Sequence, residues 1–364
     1  MRFRRGWIPA IVAPVAVVAG AIAVPAIANA ASPPPERTAA QVLTLIAGSH
    51  DAHYSGTVAQ SSDLGLPQLP TSMSSAAPSA ALDAASLIEL ATGSHTAQVY
   101  VDGPSRQRVQ LLDTLSERDV IHDGTSLWLY DASDRTATHV KGSTAQAKNG
   151  MPQTATPAQL ADRLISSLTP TTSVTVSTGT DLGRGVYELT LAPRTSATLV
   201  ADTVVTVDAE TGVPLGVRID ARGQSTPALS VAFRSIDFSR PGADVFAFTP
   251  PQGTTVKNVT LPADIPHGEH LDTARRDGDS GTALVPPTVI GSGWTAIVEL
   301  PAGAAATGPM SRLGADGSAL LGELTQKVSG GRVLQTSLFT VYLRDDGAVF
   351  AGAVPAATLL AAAK

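Results

Sequence analysis

The sequence predicts a mainly β protein of the α+β kind: an antiparallel sheet with amphipathic helices against it, and a small C-terminal α+β domain. Three observations predict this class. Short runs of alternating apolar and polar residues fill 95–140 and again 171–256, separated by Asp-Gly and Thr-Gly turns. Helical periodicity is confined to a few places, chiefly 36–47 and 156–168. A stretch rich in Pro, Gly, Asp and His at 259–290 separates a long β-rich part from a short one.

Composition narrows the function classes. The chain has 364 residues, 43% of them hydrophobic, which is enough for a core and for two domains. Its net charge is −6 and no basic stripe stands out, so a nucleic-acid partner is not expected. There is no Cys, which excludes thiol catalysis, disulfides, Cys-ligated metals and a lipid-modified Cys.

Taken in order, the chain opens with Arg2, Arg4 and Arg5 before an unbroken apolar run at 7–28. Ala28-Asn29-Ala30 follows, and the whole reads as a signal peptide at 1–30. The run is also long enough for a retained membrane anchor. Pro9, Pro14, Gly20 and Pro25 and the A-x-A site favour cleavage. Either way the remainder is expected to be extracytoplasmic, secreted or in the cell envelope, where nucleotide cofactors are scarce; no cofactor is implied.

Ala39, Val42, Leu43 and Ile46 form one helical stripe that Gly48 stops, and 53–60 reads as a strand. Residues 61–94 read as a long loop or insertion, with a short helix around 82–90. HTAQVYV, RQRVQLL, RDVIH, SLWLY and TATHV then form a meander. Thr156-Pro157-Ala158-Gln159 caps a second helix with Leu160, Leu164 and Leu168 in line. TSVTVS, GVYELTLA, DTVVTVD, PLGVRIDA and LSVAFRSIDF are strands again, and 245–256 closes the unit. The terminal part, 291–364, holds GWTAIVEL, a helix-compatible ALLGELTQKV, a strand run VLQTSLFTVYL, a DDG turn, AVFAGAV and a short terminal helix.

No G-x-S-x-G, S-x-x-K, P-loop or H-E-x-x-H motif occurs. GSGWTA at 291–296 has half of a dinucleotide fingerprint but follows a Pro-rich stretch and enters a strand, so it reads as a loop. His50-Asp51-x-His53 and His267-x-x-His270 with Glu269 are short pairs without a third ligand, and they read as solvated loops. Asp277-x-Asp279 lacks the later Glu of a calcium loop. Asp345-Asp346 reads as a turn. The chain is therefore not expected to be an enzyme, and no metal site is assigned. A sheet that curves and is covered by helices can leave an apolar gap, and an acyl chain buried there gains roughly 0.8 kcal/mol per methylene.

Five motifs in order resemble the LolA-type lipoprotein carriers and their relative RseB. Asp123-Gly124-Thr125-Ser126-Leu127-Trp128-Leu129-Tyr130-Asp131 resembles the DGxxLWxYDP hairpin. The helix ending near Gly48 with Tyr54-Ser55-Gly56-Thr57 is similar to the family's opening. Thr156-Pro157-Ala158-Gln159-Leu160 resembles the TPAxLL helix start. Asp208-Ala209-Glu210-Thr211-Gly212-Val213-Pro214 resembles the D-x-x-T-G-x-P hairpin, and Phe246–Gly253 the closing F-x-F-x-P-P-x-G. The resemblance covers about residues 36–258 and implies an unclosed antiparallel half-barrel with a helical lid around an apolar cavity. The domains so implied are 31–258, a linker at 259–290 and a small RseB-like part at 291–364. The insertion at 61–94, the unmatched lid arginine and the missing lipobox Cys are departures.

Two functions follow from the resemblance. One is a carrier of lipid or lipoprotein acyl chains. The other is an RseB-like sensor regulating a membrane anti-sigma factor or other membrane protein. A filled core without ligand is the plain structural alternative. A monomer is expected. Candidate ligand contacts are Val99, Val101, Val109, Leu111, Leu127, Leu129, Leu160 and Leu164, each also readable as core. Alternation puts Leu127 and Leu129 on one face and Trp128 and Tyr130 on the other. Which face lines a cavity stays open at this point.

Overall fold

The computed structural model describes residues 32–66, 94–112, 117–141, 170–260, 287–302, 322 and 324–364. The expected signal segment, the expected 156–168 helix with Leu160 and Leu164, most of the expected 61–94 insertion and the second histidine pair lie outside them.

Helix α1 (Ala39–Gly48) starts one turn later than 36. Thr38 and Gln41 set that start through a capping box: Gln41 N donates to Thr38 Oγ1 (3.3 Å) and Thr38 N donates to Gln41 Oε1 (2.8 Å). Then come β1 (His53–Ser62), β2 (His95–Asp102), β3 (Arg106–Leu112), β4 (Glu117–Asp123), β5 (Ser126–Asp131) and β6 (Thr136–Lys141). A second meander holds β7 (Thr172–Asp181), β8 (Arg184–Pro193), β9 (Val200–Asp208), β10 (Pro214–Ala221) and β11 (Leu229–Asp237). Each expected run is a strand, and the alternation that marked it is the alternation of its two faces.

The two meanders are one sheet. Its order is β12-β6-β5-β4-β3-β2-β1-β11-β10-β9-β8-β7, where β12 is Thr255–Thr260. β1 joins them by pairing antiparallel with β2 on one side and β11 on the other. The end strands do not pair, so the sheet is unclosed. A sheet of twelve strands cannot stay flat, because strand twist accumulates.

At the join, the register slips between Thr57 and Val58. Such a bulge bends the strand and increases its local twist. Gly56 permits it: a Cβ there would lie 2.2 Å from Ser235 O and 2.9 Å from Phe233 Cδ1. The Phe233 ring lies over the bare glycine and packs edge-on to Tyr54, with centroids 5.8 Å apart. This gives a physical reason for the Tyr-Ser-Gly-Thr motif.

The β9–β10 hairpin is tied down by Asp208. Its Oδ2 accepts from Thr211 N (2.8 Å) and Thr211 Oγ1 (2.7 Å), and Arg184 forks onto both carboxylate oxygens. Gly212 holds φ +76°, and a Cβ there would lie 2.2 Å from Leu45 O of α1. The helix therefore rests directly on the turn.

One pairing departs from the antiparallel expectation. β12 runs parallel to β6, with Val256 opposite Ala137 and Asn258 opposite His139. The chain crosses back over the sheet between Asp237 and Thr255, and a crossover of that kind returns a strand in parallel sense.

The C-terminal part forms a second sheet of order β13-β14-β18-β17-β16-β15. Its strands are β13 (Thr288–Ile290), β14 (Ile297–Leu300), β15 (Gln326–Val328), β16 (Gly331–Gln335), β17 (Thr340–Arg344) and β18 (Val349–Gly352). Helix α2 (Ala356–Ala362) packs on one face, with Leu359 beside Ile297, Tyr342, Phe350 and Val354 in the core. Three readings change here. Thr288–Ile290, within the expected linker, is a strand. Gln326–Val328 is a strand and not helix. VLQTSLFTVYL is two strands around a turn. Thr336 makes that turn, its Oγ1 accepting from Leu338 N (3.2 Å) and Phe339 N (3.0 Å). The Asp345-Asp346 pair is the expected turn, with Asp346 accepting from Ala348 N (3.0 Å).

Both sheets belong to one compact unit, Ser32–Lys364. Leu338, with Trp294 and Phe339, packs against Leu64, Val200, Ala221 and Ala228 of the large sheet's end. Ser337 N donates to Leu64 O (3.0 Å), Leu199 N to Ala353 O (2.8 Å) and Trp294 Nε1 to Thr172 Oγ1 (2.8 Å). The GSGWTA stretch is thus a docking turn.

Gly56→Ala is expected to destabilise the fold by about 1–3 kcal/mol, through the overpacked bulge. Urea unfolding measures this, and a neutral result would remove the bulge as a constraint. Asp208→Asn is expected to cost about 1–3 kcal/mol at neutral pH, since it weakens charge-assisted bonds to Arg184 and Thr211. Burial alone would raise the Asp208 pKa, but those bonds outweigh it and hold it below the usual carboxylate range. Its stabilisation is therefore present above the ordinary Asp pKa and lost as pH falls through the depressed one. The gap between wild type and variant is expected to narrow in that acid window, as read from unfolding curves at stepped pH.

Candidate functional site

The register sorts the large sheet into two unlike faces. One rung runs Val99–Val109–Val120–Leu129 across β2 to β5. The next on the same face joins Tyr54, Val101, Gln107, His122, Leu127 and Val140. A third joins Val58, Ala97, Leu111 and Arg118. The same face continues past the join through Val231–Val217–Val205–Leu189–Val176. Val99, Val101, Val109, Leu111, Leu127 and Leu129 thus share one face, by alternation within each strand and pairing register between strands.

The opposite face carries Arg106, Arg108, Gln110, Asp119, Ile121, Trp128 and Tyr130. The chain itself covers it. The segment after β11 lays Phe248 against Trp128 and Tyr130, both at 5.3 Å between centroids. Phe246 is buried, with the Arg106 guanidinium 5.7 Å from its ring centroid. Arg108 Nη1 donates to Val245 O (3.1 Å), and its Nη2 pairs with the buried Asp119 carboxylate at 2.6 Å. Burial raises the Asp119 pKa even against that guanidinium. Asp119 Oδ1 and Arg108 Nε are buried without a hydrogen-bond partner. The F-x-F-x-P-P-x-G motif is this covering strap.

The histidines of 121–140 serve the same architecture. His122 Nε2 lies 2.9 Å from Gly124 O at the β4–β5 turn. His139 stacks on Trp128, with centroids 3.9 Å apart and planes 7° from parallel, and its Nε2 lies 2.8 Å from Ser126 Oγ. Asp131 accepts from Ser133 N (2.9 Å) in the following turn. His50 and Asp51 are exposed neighbours 3.1 Å apart. Among the described residues, no cluster of three or more His, Asp or Glu could hold a metal ion.

Among the described residues, the aliphatic face is covered only in part. At β7–β9, α1 covers it: Val42 packs on Tyr187 and Val207, with Leu45 and Ile46 beside Val176 and Val205. Leu45 contributes where the stripe suggested Leu43. Away from α1 the face opens. Val109 (39% exposed), Val120 (43%), Val217 (38%) and Val231 (37%) all point from it. Val120, Val217 and Val231 were not among the sequence candidates. Their common face follows from register, which one strand's sequence does not carry. A separate open groove of about 830 Å³ lies beside α1. Glu36, Arg37, Gln41, Thr44 and Glu210 give it mixed polarity, so it is a different environment from the aliphatic face.

Among the described residues no helix is long and apolar enough to cross a membrane. No known protein family matches the chain, and no curated protein matches its sequence. Solved structures do. Pseudomonas aeruginosa MucB in complex with MucA is 15% identical, with 89% of this chain and 96% of that one covered at a TM-score of 0.44. An uncharacterized conserved protein from Thermus thermophilus is 11% identical, with 61% and 99% covered at 0.35. A LolA superfamily protein from Nitrosomonas europaea is 10% identical, with 58% and 99% covered at 0.26. The chain is similar in structure to MucB and to LolA-superfamily proteins.

Proposed function

We propose that the chain is an extracytoplasmic carrier-type protein that holds an acylated or other hydrophobic ligand on the aliphatic face of its large sheet. The observation that carries this reading is the contrast between the faces. The aromatic face has its own strap, while the aliphatic face presents four partly exposed valines from β3, β4, β10 and β11. Apolar side chains gathered on one face support a binding site there. The described side chains there are chiefly Val and Leu, which recognise hydrocarbon by burial and not by hydrogen bonds. The ligand contacts assigned are Val99, Val101, Val109, Leu111, Leu127 and Leu129, with Val120, Val217 and Val231 added. Binding of this kind breaks no bond, so no residue is assigned a catalytic role.

A second reading, a sensor that binds a membrane protein, draws on the small sheet. Its face opposite α2 carries Val289, Val298 and Leu300 exposed, and Val298 is in register with Ala351, itself beside Val341. Protein partners use such faces.

Native mass spectrometry of the full chain from its own host is expected to show a co-purified lipid. Val109→Lys with Val120→Lys is expected to remove it, or to weaken fatty-acid binding at least about tenfold, at unchanged fold, since burying one unpaired ammonium costs more than that. Retention of the ligand by the double variant would move the site elsewhere. A photo-crosslinking residue at 109 and at 298 separates the readings: lipid captured from 109 supports the carrier, and a membrane protein captured from 298 supports the sensor.

A further inference from the structure

We propose that the Leu338–Phe339 corner of the small sheet is the end wall of the aliphatic face and sets the length of the apolar chain that the face accepts. The proposal rests on the carrier reading and adds a specificity device to it.

Val231 and Val217 are paired, lie on the aliphatic face and are more than a third exposed. The next rung on that face is Leu229 and Ile219. These pack against the cluster in which Leu338 meets Leu64, Val200, Ala221 and Ala228, with Phe339 and Trp294 alongside. The open face therefore runs into packed side chains within one rung, about 7 Å along the strands.

The wall is fixed. Thr336 Oγ1 donates to Phe339 O (2.9 Å) and accepts from both Leu338 N and Phe339 N. Ser337 is bonded to the large sheet through N to Leu64 O (3.0 Å) and Oγ to Asp63 O (3.1 Å). Thr198 Oγ1 and Leu199 N both donate to Ala353 O (2.7 and 2.8 Å), a second tie between the sheets. The cluster itself is made of apolar side chains, so a methyl end fits against it, whereas a carboxylate or headgroup there would lose its water without a partner. Each methylene added short of the wall should raise affinity about fourfold. Beyond it, a longer chain must displace packed side chains or fold back.

The test uses the full chain and a series of saturated fatty acids of increasing length, each displacing a fluorescent fatty acid. Affinity is expected to rise about fourfold per methylene and then level off. In Phe339→Ala the levelling point is expected to move to longer chains. A second measurement does not depend on that variant folding. A fatty acid brominated at its methyl end is expected to quench tryptophan emission more in wild type than in Trp294→Phe, and one brominated beside the carboxylate is expected to quench both alike. If no fatty acid binds wild type, the carrier reading fails and this inference with it. If fatty acids bind but methyl-end quenching is indifferent to Trp294, or a folded Phe339→Ala keeps the wild-type levelling point, the end wall is wrong and the carrier reading stands.

Discussion

The pairing of β1 with β11 is the joint on which the structure depends. Without it the chain holds two separate meanders, each with a bare edge. With it they become one twelve-stranded sheet. The joint is long-range in sequence, so its loop-closure entropy must be met before its hydrogen bonds return anything. It is also where the sheet bends. The bulge after Thr57, the missing Cβ of Gly56 and the Phe233 ring over it form a single device. Both the width of the aliphatic face and its break in register come from this one place.

A sheet this wide must deal with two faces, and here they are handled differently. The aromatic face receives the strap around Phe246 and Phe248 and buries an Arg108–Asp119 pair beneath it. Removing either charge would strand the other in a poorly solvated place. The aliphatic face receives α1 at one side and the small sheet at one end, and the valines of β3, β4, β10 and β11 stay more than a third exposed. Stability and the proposed binding thus draw on opposite faces of the same strands. Trp128 and Tyr130 serve the fold. Leu127 and Leu129, between them in sequence, belong to the proposed site.

Much of this was legible in the sequence, for identifiable reasons. The ten strands β2 to β11 have the period-two alternation and turn residues that local physics reads directly. The Asp208–Gly212 hairpin was legible because its turn needs a side-chain acceptor and a positive φ. What escaped was non-local or very short. β12 has no turn next to β6 to announce their pairing. β13 and β15 have three residues each, too few for a period. The Thr336 turn sits inside an otherwise continuous β-favouring run. Choice of face was illegible for another reason: alternation defines two faces, and only the path of the strap decides which one is occupied. Val120, Val217 and Val231 join the candidate site through register that no strand carries alone.

The parallel strand β12 has a consequence in time as well as space. Chains are made from the N-terminus, and the β2–β6 meander can close once Lys141 has been made. Its outer edge then waits until Thr255–Thr260 exist, and the aromatic side chains wait as long for their strap. Through that interval the unfinished chain offers an unpaired β6 edge beside bare Trp128 and Tyr130, the combination most prone to pair with a neighbour. The last strand to join the large sheet is therefore also its guard against self-association, and Lys257 in the middle of that new edge puts a charge where a further strand would otherwise add.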